Sequence, residues 1–176
     1  MNRPRHFNLL ARLLHWSMAL AILAMLFVGA GMVVSLRHRD ELLALHRPLG
    51  IAILLLAIVR LINRLTRPTP ALPADLPPIQ KVAAHASHWL LYGLMLAMPL
   101  IGWAMLSAGG YPIPMVGGVH LPAILPHNPA VYGWLRPLHG ALAYLLFLTI
   151  LGHLGAALYH AWVRRDEVFG QMAKGD

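Results

Sequence analysis

The stretch RPLHGALAYLLFLTILGHLGAALYHAW, residues 136–162, sets three imidazoles, His139, His153 and His160, in surroundings that are otherwise almost wholly apolar. An ionisable side chain in such a run is costly to bury and is usually kept for a partner and a task. His139 and His153 are 14 residues apart. On a helix that is about 21 Å of rise and close to four whole turns, so both leave one face. One small metal ion cannot bridge them, whereas two sites stacked along the helix could use one each. His46 opens a second apolar run at the level of His139, and His15 opens a third at the opposite level, near His153. The result is an outer pair, His46 with His139, and an inner pair, His15 with His153, each joining two different helices. Neutral imidazoles facing one another in apolar surroundings suit axial ligation of a planar haem iron from both sides. With both axial positions filled, oxygen has no open site, and such a centre carries electrons. The inner pairing stays open at this point. His160 lies one heptad below His153 on nearly the same face, depth alone could pair it with His15, and His85 and His88 are further candidates.

These side chains must be positioned by helices that cross a bilayer. Of 176 residues, 59% are hydrophobic and 11% charged, which is more apolar surface than a soluble domain of this size can bury. Residues 13–36 and 137–163 hold no Lys, Arg, Asp or Glu, and Arg136 is the only charge in 82–137. Since about 20 apolar residues span the hydrocarbon core, the expectation is an all-α, integral membrane four-helix bundle binding two haems. Its helices are placed at about 13–36, 42–62, 85–106 and 137–163, in a single domain over residues 1–176. Pro48 and Pro137 are expected in first turns, where a missing N–H is harmless, and Pro99 as a kink in the third helix. Arg60 and Arg64 are expected to snorkel from the end of the second. The first run is too long for a signal-peptide core and lacks a clear small-residue cleavage site, so it reads as a retained helix.

The connections differ in kind. SLRHRDE is short and polar, RPTPALPADLPPIQK is proline-rich and extended, and SAGGYPIPMVGGVHLPAILPHNPAVYGW is long enough to suggest a role of its own. Ten Lys and Arg, Arg3 among them, lie on the side of the termini and the proline-rich loop, against four, Arg37, Arg39, Arg47 and Arg136, on the other. The positive-inside rule therefore puts both termini in the cytoplasm. Trp16, Trp89, Trp134 and Trp162 fall near the expected interfaces, as an aromatic belt would have them.

Several classes of function are excluded. With no cysteine, the chain has no disulfide, iron–sulfur cluster or thioether-attached haem, so a haem here is b-type and non-covalent. The net charge of +8 flanks apolar runs instead of forming a nucleic-acid face. A histidine-based metal or proton transporter would want acidic residues inside the spans, and there are none. Arg37, Arg39, Arg47 and Arg136 rim the outer pair and would steer a small anion inward, partly cancelled by Asp40 and Glu41. Arg47, beside His46, is also placed for a haem propionate. Met95, Met98 and Met105 read as packing, and His6, His38, His120 and His127 are expected in water.

The segments LLHW, HRPLGIAILLLAIVRLINRL, AHASHWLLYGLMLAMPLIGW and LHGALAYLLFLTILGHLGAALYHAW resemble the bacterial cytochrome b561 family, small four-helix dihaem membrane cytochromes, and the similarity covers nearly the whole chain. The resemblance implies His15, His46, His139 and His153 as axial ligands of two haem b groups, and so favours His153 over His160. It implies the bacterial inner membrane, with lipid and quinone as partners. One member type oxidises superoxide at the outer face and passes the electron to ubiquinone. The wider superfamily holds cytochrome b subunits that relay electrons between a partner redox protein, a hydrogenase or formate dehydrogenase, and quinone. The leading expectation is a superoxide:ubiquinone oxidoreductase, and the second is a relay subunit with no catalysis of its own.

Overall fold

The computed structural model describes residues 4–174, so Arg3 lies outside the described residues. The chain is all-α: α1 Leu9–Val34, α2 Arg39–Thr66, α3 Pro78–Ala108, α4 Pro129–Leu158 and a short α5 Glu167–Ala173. The first four are long and apolar enough to cross a membrane, the fourth continuing to Arg164.

Caps, more than hydropathy, set where these helices begin. The Asn8 side chain accepts the Ala11 N–H at 2.8 Å, and Asn128 Oδ1 accepts the N–H groups of Ala130 and Val131, each satisfying donors that a helix start leaves unpaired. Pro78 and Pro129 take first-turn positions. As a result α3 and α4 start well ahead of the apolar runs, at 78 instead of 85 and at 129 instead of 137. Pro137 is consequently a helix-interior residue, not a first-turn one; Pro48 is interior too, because α2 already starts at Arg39 with no side-chain cap, and Pro99 lies within α3. Each removes one backbone donor from its helix.

Packing is closest between α1 and α2, between α3 and α4, and then between α2 and α3. The core gathers Met18 and Ile22 of α1, Ile53 and Ala57 of α2, Tyr92, Leu94 and Met95 of α3, and Leu146 of α4. Leu146 is the only buried residue described in α4. It stands midway between His139 and His153 along the helix, so the apolar layer separates two histidine levels. Leu20, Phe27 and Leu148 point outward, as they must where lipid is the solvent.

Both ends of the bundle are closed by irregular chain. At one end the long loop folds against α3. The Trp103 indole donates to the Pro122 carbonyl at 2.9 Å, Ser107 Oγ accepts the Ile124 N–H, and Asn128 N–H reaches the Ala108 carbonyl. At the other end α4 loosens into a π-helical turn, Tyr159–Arg164, which Arg165 ends with a left-handed φ of 54°. The chain then enters α5, capped by Asp166. This helix folds back over the terminal end: Phe7 N–H donates to the Gln171 carbonyl, Trp16 to that of Met172, and Gln171 to that of Ala71.

Candidate functional site

The loop-end pair comes from α2 and α4. The rings of His46 and His139 have centroids 6.2 Å apart and planes at 67°. The terminal-end pair comes from α1 and α4, with His15 and His153 also 6.2 Å apart, at 71°. Two imidazoles trans on one iron, with metal–nitrogen bonds of about 2.0 Å, have centroids roughly 6.4 Å apart. Both pairs therefore fit a shared planar-haem iron. Among the described residues no three His, Cys, Asp or Glu side chains converge on one metal position. Each pair would offer an iron two protein ligands, with the remaining donors coming from a porphyrin.

The surroundings of the loop-end pair fit a haem as well. His46 Nδ1 and Arg47 Nε are buried with no hydrogen-bond partner. His139 Nδ1 is likewise buried with no hydrogen-bond partner. Unmatched buried donors are rare and costly, and a haem carboxylate is the acceptor that Arg47 wants. Two glycines keep the neighbouring helices off the rings. A Cβ on Gly102 would lie 3.3 Å from His139 Cε1, and one on Gly29 would lie 4.0 Å from His46 Cε1.

The terminal-end pair is more crowded. His88 of α3 stands 5.5 Å from His153, nearer than His15 does, and Trp16 packs edge-on to His15 at 5.1 Å. His85 is exposed, at the edge of this cluster beside His88. His160 is turned elsewhere. Its Nδ1 lies 2.7 Å from Asp166 Oδ2, the same oxygen accepts Arg164 Nε at 2.9 Å, and Arg164 Nη2 reaches Asp75 at 2.7 Å. Burial alone would raise the Asp166 carboxyl, but hydrogen bonds from His160, the Val168 N–H and Arg164 outweigh it and hold it below the usual carboxylate range.

Arg37, Arg39 and Arg136 are exposed and Arg47 is half-buried at the loop end. His38, in ion-pair distance of Glu41, is exposed, as are His120 and His127, whereas His6, expected in water, is half-buried. His88, a secondary candidate by sequence, stands with His15 against His153, and Asp166, with no signal in the apolar pattern, holds His160. The signal for His88 was its depth, three residues into the span beyond His85 and level with His15.

The family model described as prokaryotic cytochrome b561 matches residues 6–175. Cytochrome b561 homolog 2 of Escherichia coli (strain K12) is 27% identical over 97% of this chain and 93% of its own length. The "Probable superoxide oxidase CybB" of Yersinia pestis is 33% identical over 73% of this chain and 72% of its own. Cytochrome b561 homolog 1 of Escherichia coli (strain K12) is 29% identical over 72% of each. With the family model matched over nearly its whole length, the chain belongs to the prokaryotic cytochrome b561 family.

Proposed function

We propose that this electron-transfer cytochrome is a dihaem superoxide:ubiquinone oxidoreductase of the bacterial inner membrane, with both termini and α5 on the cytoplasmic side. The observation that carries the reading is the recurrence of one geometry, two imidazoles 6.2 Å apart, at both ends of one helix bundle. Haem b at each pair supplies one-electron redox chemistry, so that two superoxide anions, one ubiquinone and two protons give two oxygen molecules and one ubiquinol. The chain's own part is ligation, spacing and attraction. His46 and His139 hold the outer group, His15 and His153 the inner one, and the layer around Leu146, Met18 and Ala57 keeps water from the path between. Arg37, Arg39 and Arg136 leave a positive rim at the outer mouth, which raises the encounter rate of a small anion. The likeness to the Yersinia pestis protein supports superoxide as donor.

The test is stopped-flow haem reduction by superoxide across a salt series, with ubiquinone as acceptor. Steering acts over a Debye length of about 8 Å at physiological salt, so the rate should fall as ionic strength rises. Neutralising Arg37 and Arg39 together should lower the rate and flatten that dependence while leaving the haem spectrum alone. Slow reduction indifferent to salt would instead favour a relay subunit fed by a partner redox protein.

A further inference from the structure

We propose that the cleft between the terminal ends of α1, α2 and α3 binds the phosphate of an anionic phospholipid. It is lined by Asn8, Arg60, Asn63, Arg64, Arg67 and Tyr92. The three arginines recur at i, i+4 and i+7, the spacing of one helix face. Attraction to a helix C-terminus and snorkelling account for cations at positions 64 and 67. They do not account for Arg60, which turns into the bundle. Its Nη1 donates to the Ala11 carbonyl at 2.7 Å, and its side chain lies beside the Tyr92 hydroxyl. Both neighbours are neutral. Asp75 and Asp166, carboxylates at this end, are engaged by Arg164, and among the described residues no ion pair joins Arg60, Arg64 or Arg67 to a carboxylate. A half-buried guanidinium beside a second cation, Arg64, with the rings of His15, His88 and His153 as further neighbours and no carboxylate partner, is costly, and an anion seated in the cleft offsets that cost.

Depth selects the source of the anion. Arg64 sits over the Tyr92 ring at 5.9 Å, and Tyr92 packs against the half-exposed Trp89 at 6.2 Å. At this end of the bundle the exposed Trp162, in the closing turn of the fourth span, marks the membrane–water interface, the level at which lipid phosphates lie. Leu10 and Leu13 of α1 and Ile62 and Leu65 of α2 are exposed beside the cleft's residues and give acyl chains an apolar track. A basic pocket between spanning helices with such flanks has the form that recognises an anionic headgroup.

The experiment is native mass spectrometry of the haem-loaded protein in detergent, wild type against Arg64→Gln/Arg67→Gln, with added phosphatidylglycerol or phosphatidylcholine. Haem content is read from the same samples, and a parallel thermal-shift arm compares phosphatidylglycerol with inorganic phosphate alone. Phosphatidylglycerol adducts should be several-fold more abundant on the wild type than on the variant, phosphatidylcholine adducts should not differ, and phosphate alone should leave the melting temperature unchanged. Should the double variant fail to assemble, Arg67→Gln alone, at the exposed rim, reads the same difference. Equal phosphatidylglycerol retention by the variant would overturn the proposal. So would a phosphate-induced shift as large as the lipid's, or loss of inner haem with lipid binding intact, which would assign the arginines to the haem.

Discussion

At the loop end of the bundle, His46 and His139 meet beside two glycines, Gly29 and Gly102, and next to an unpartnered Arg47 Nε. At the terminal end, His15 and His153 keep the same 6.2 Å separation but share their space with His88 and Trp16, with the Arg60 charge close by. One pair is made by taking side chains away, the other by adding them. Among the described residues no third imidazole stacks on the bare pair, whereas the crowded pair has a spare one 5.5 Å from His153. Ligand loss should therefore be complete at one end and graded at the other.

The largest effect is expected at the bare pair. His46→Ala or His139→Ala should remove the outer haem entirely and spare the inner one, halving the haem-to-chain ratio in a pyridine haemochrome assay. Retention of the full ratio would mean that another residue ligates there.

Next comes the crowded pair. His153→Ala should remove the inner haem. His15→Ala should leave a residual fraction, because His88 faces His153, and His15→Ala/His88→Ala should abolish it. His160→Ala should leave the haem content unchanged, since that ring is committed to Asp166. Loss of the inner haem in His160→Ala, with His153→Ala still low-spin, would move the ligand by two turns.

A smaller effect separates the pairs without touching a ligand. Gly102→Ala places a methyl 3.3 Å from the His139 ring, and overpacking of this kind costs about 1–3 kcal/mol. The outer centre should change its low-spin electron paramagnetic resonance signal and bind haem more weakly, while the inner signal stays fixed. Identical shifts in both signals would mean that the two ends are not independent.

The smallest effect belongs to the ion-pair cluster beyond His153. A carboxyl whose folded value is depressed stabilises the fold above its unfolded value, and that contribution is lost as pH falls through the folded one. Asp166 is such a group. Acid should therefore loosen the α4–α5 junction only below the ordinary carboxylate range, and Asp166→Asn should remove that dependence in hydrogen exchange at residues 159–168. Unchanged exchange in the variant would leave the cluster without a structural role.

The four spans were legible because uncharged runs of membrane length admit few alternatives, and the two histidine levels followed from the helical rise between His139 and His153. Helix starts were not legible in hydropathy. The polar caps Asn8 and Asn128 and the first-turn prolines Pro78 and Pro129 set three of them outside the apolar runs, which is why Pro137 was placed too early in its helix, while α2 starts at Arg39 without a side-chain cap and takes Pro48 into its interior. His160 looked equivalent to His153 along a regular helix. The π-helical turn at Tyr159–Arg164 and the Asp166 carboxylate, supplied from beyond the span, draw it away. The approach of His88 depends on how α3 packs against α4, which no single-helix periodicity contains. The return of α5 over Trp16 rests on backbone carbonyls, which leave no mark in residue types.

The proposed assembly is one haem between two imidazoles at each end of the bundle. Its most direct test is the haem-to-chain ratio of the purified protein by pyridine haemochrome, taken with the low-spin electron paramagnetic resonance spectrum. The purified protein should carry two acid-acetone-extractable b haems per chain, both six-coordinate and low-spin. One haem or none, or a high-spin centre with an open axial position in the intact protein, would contradict it.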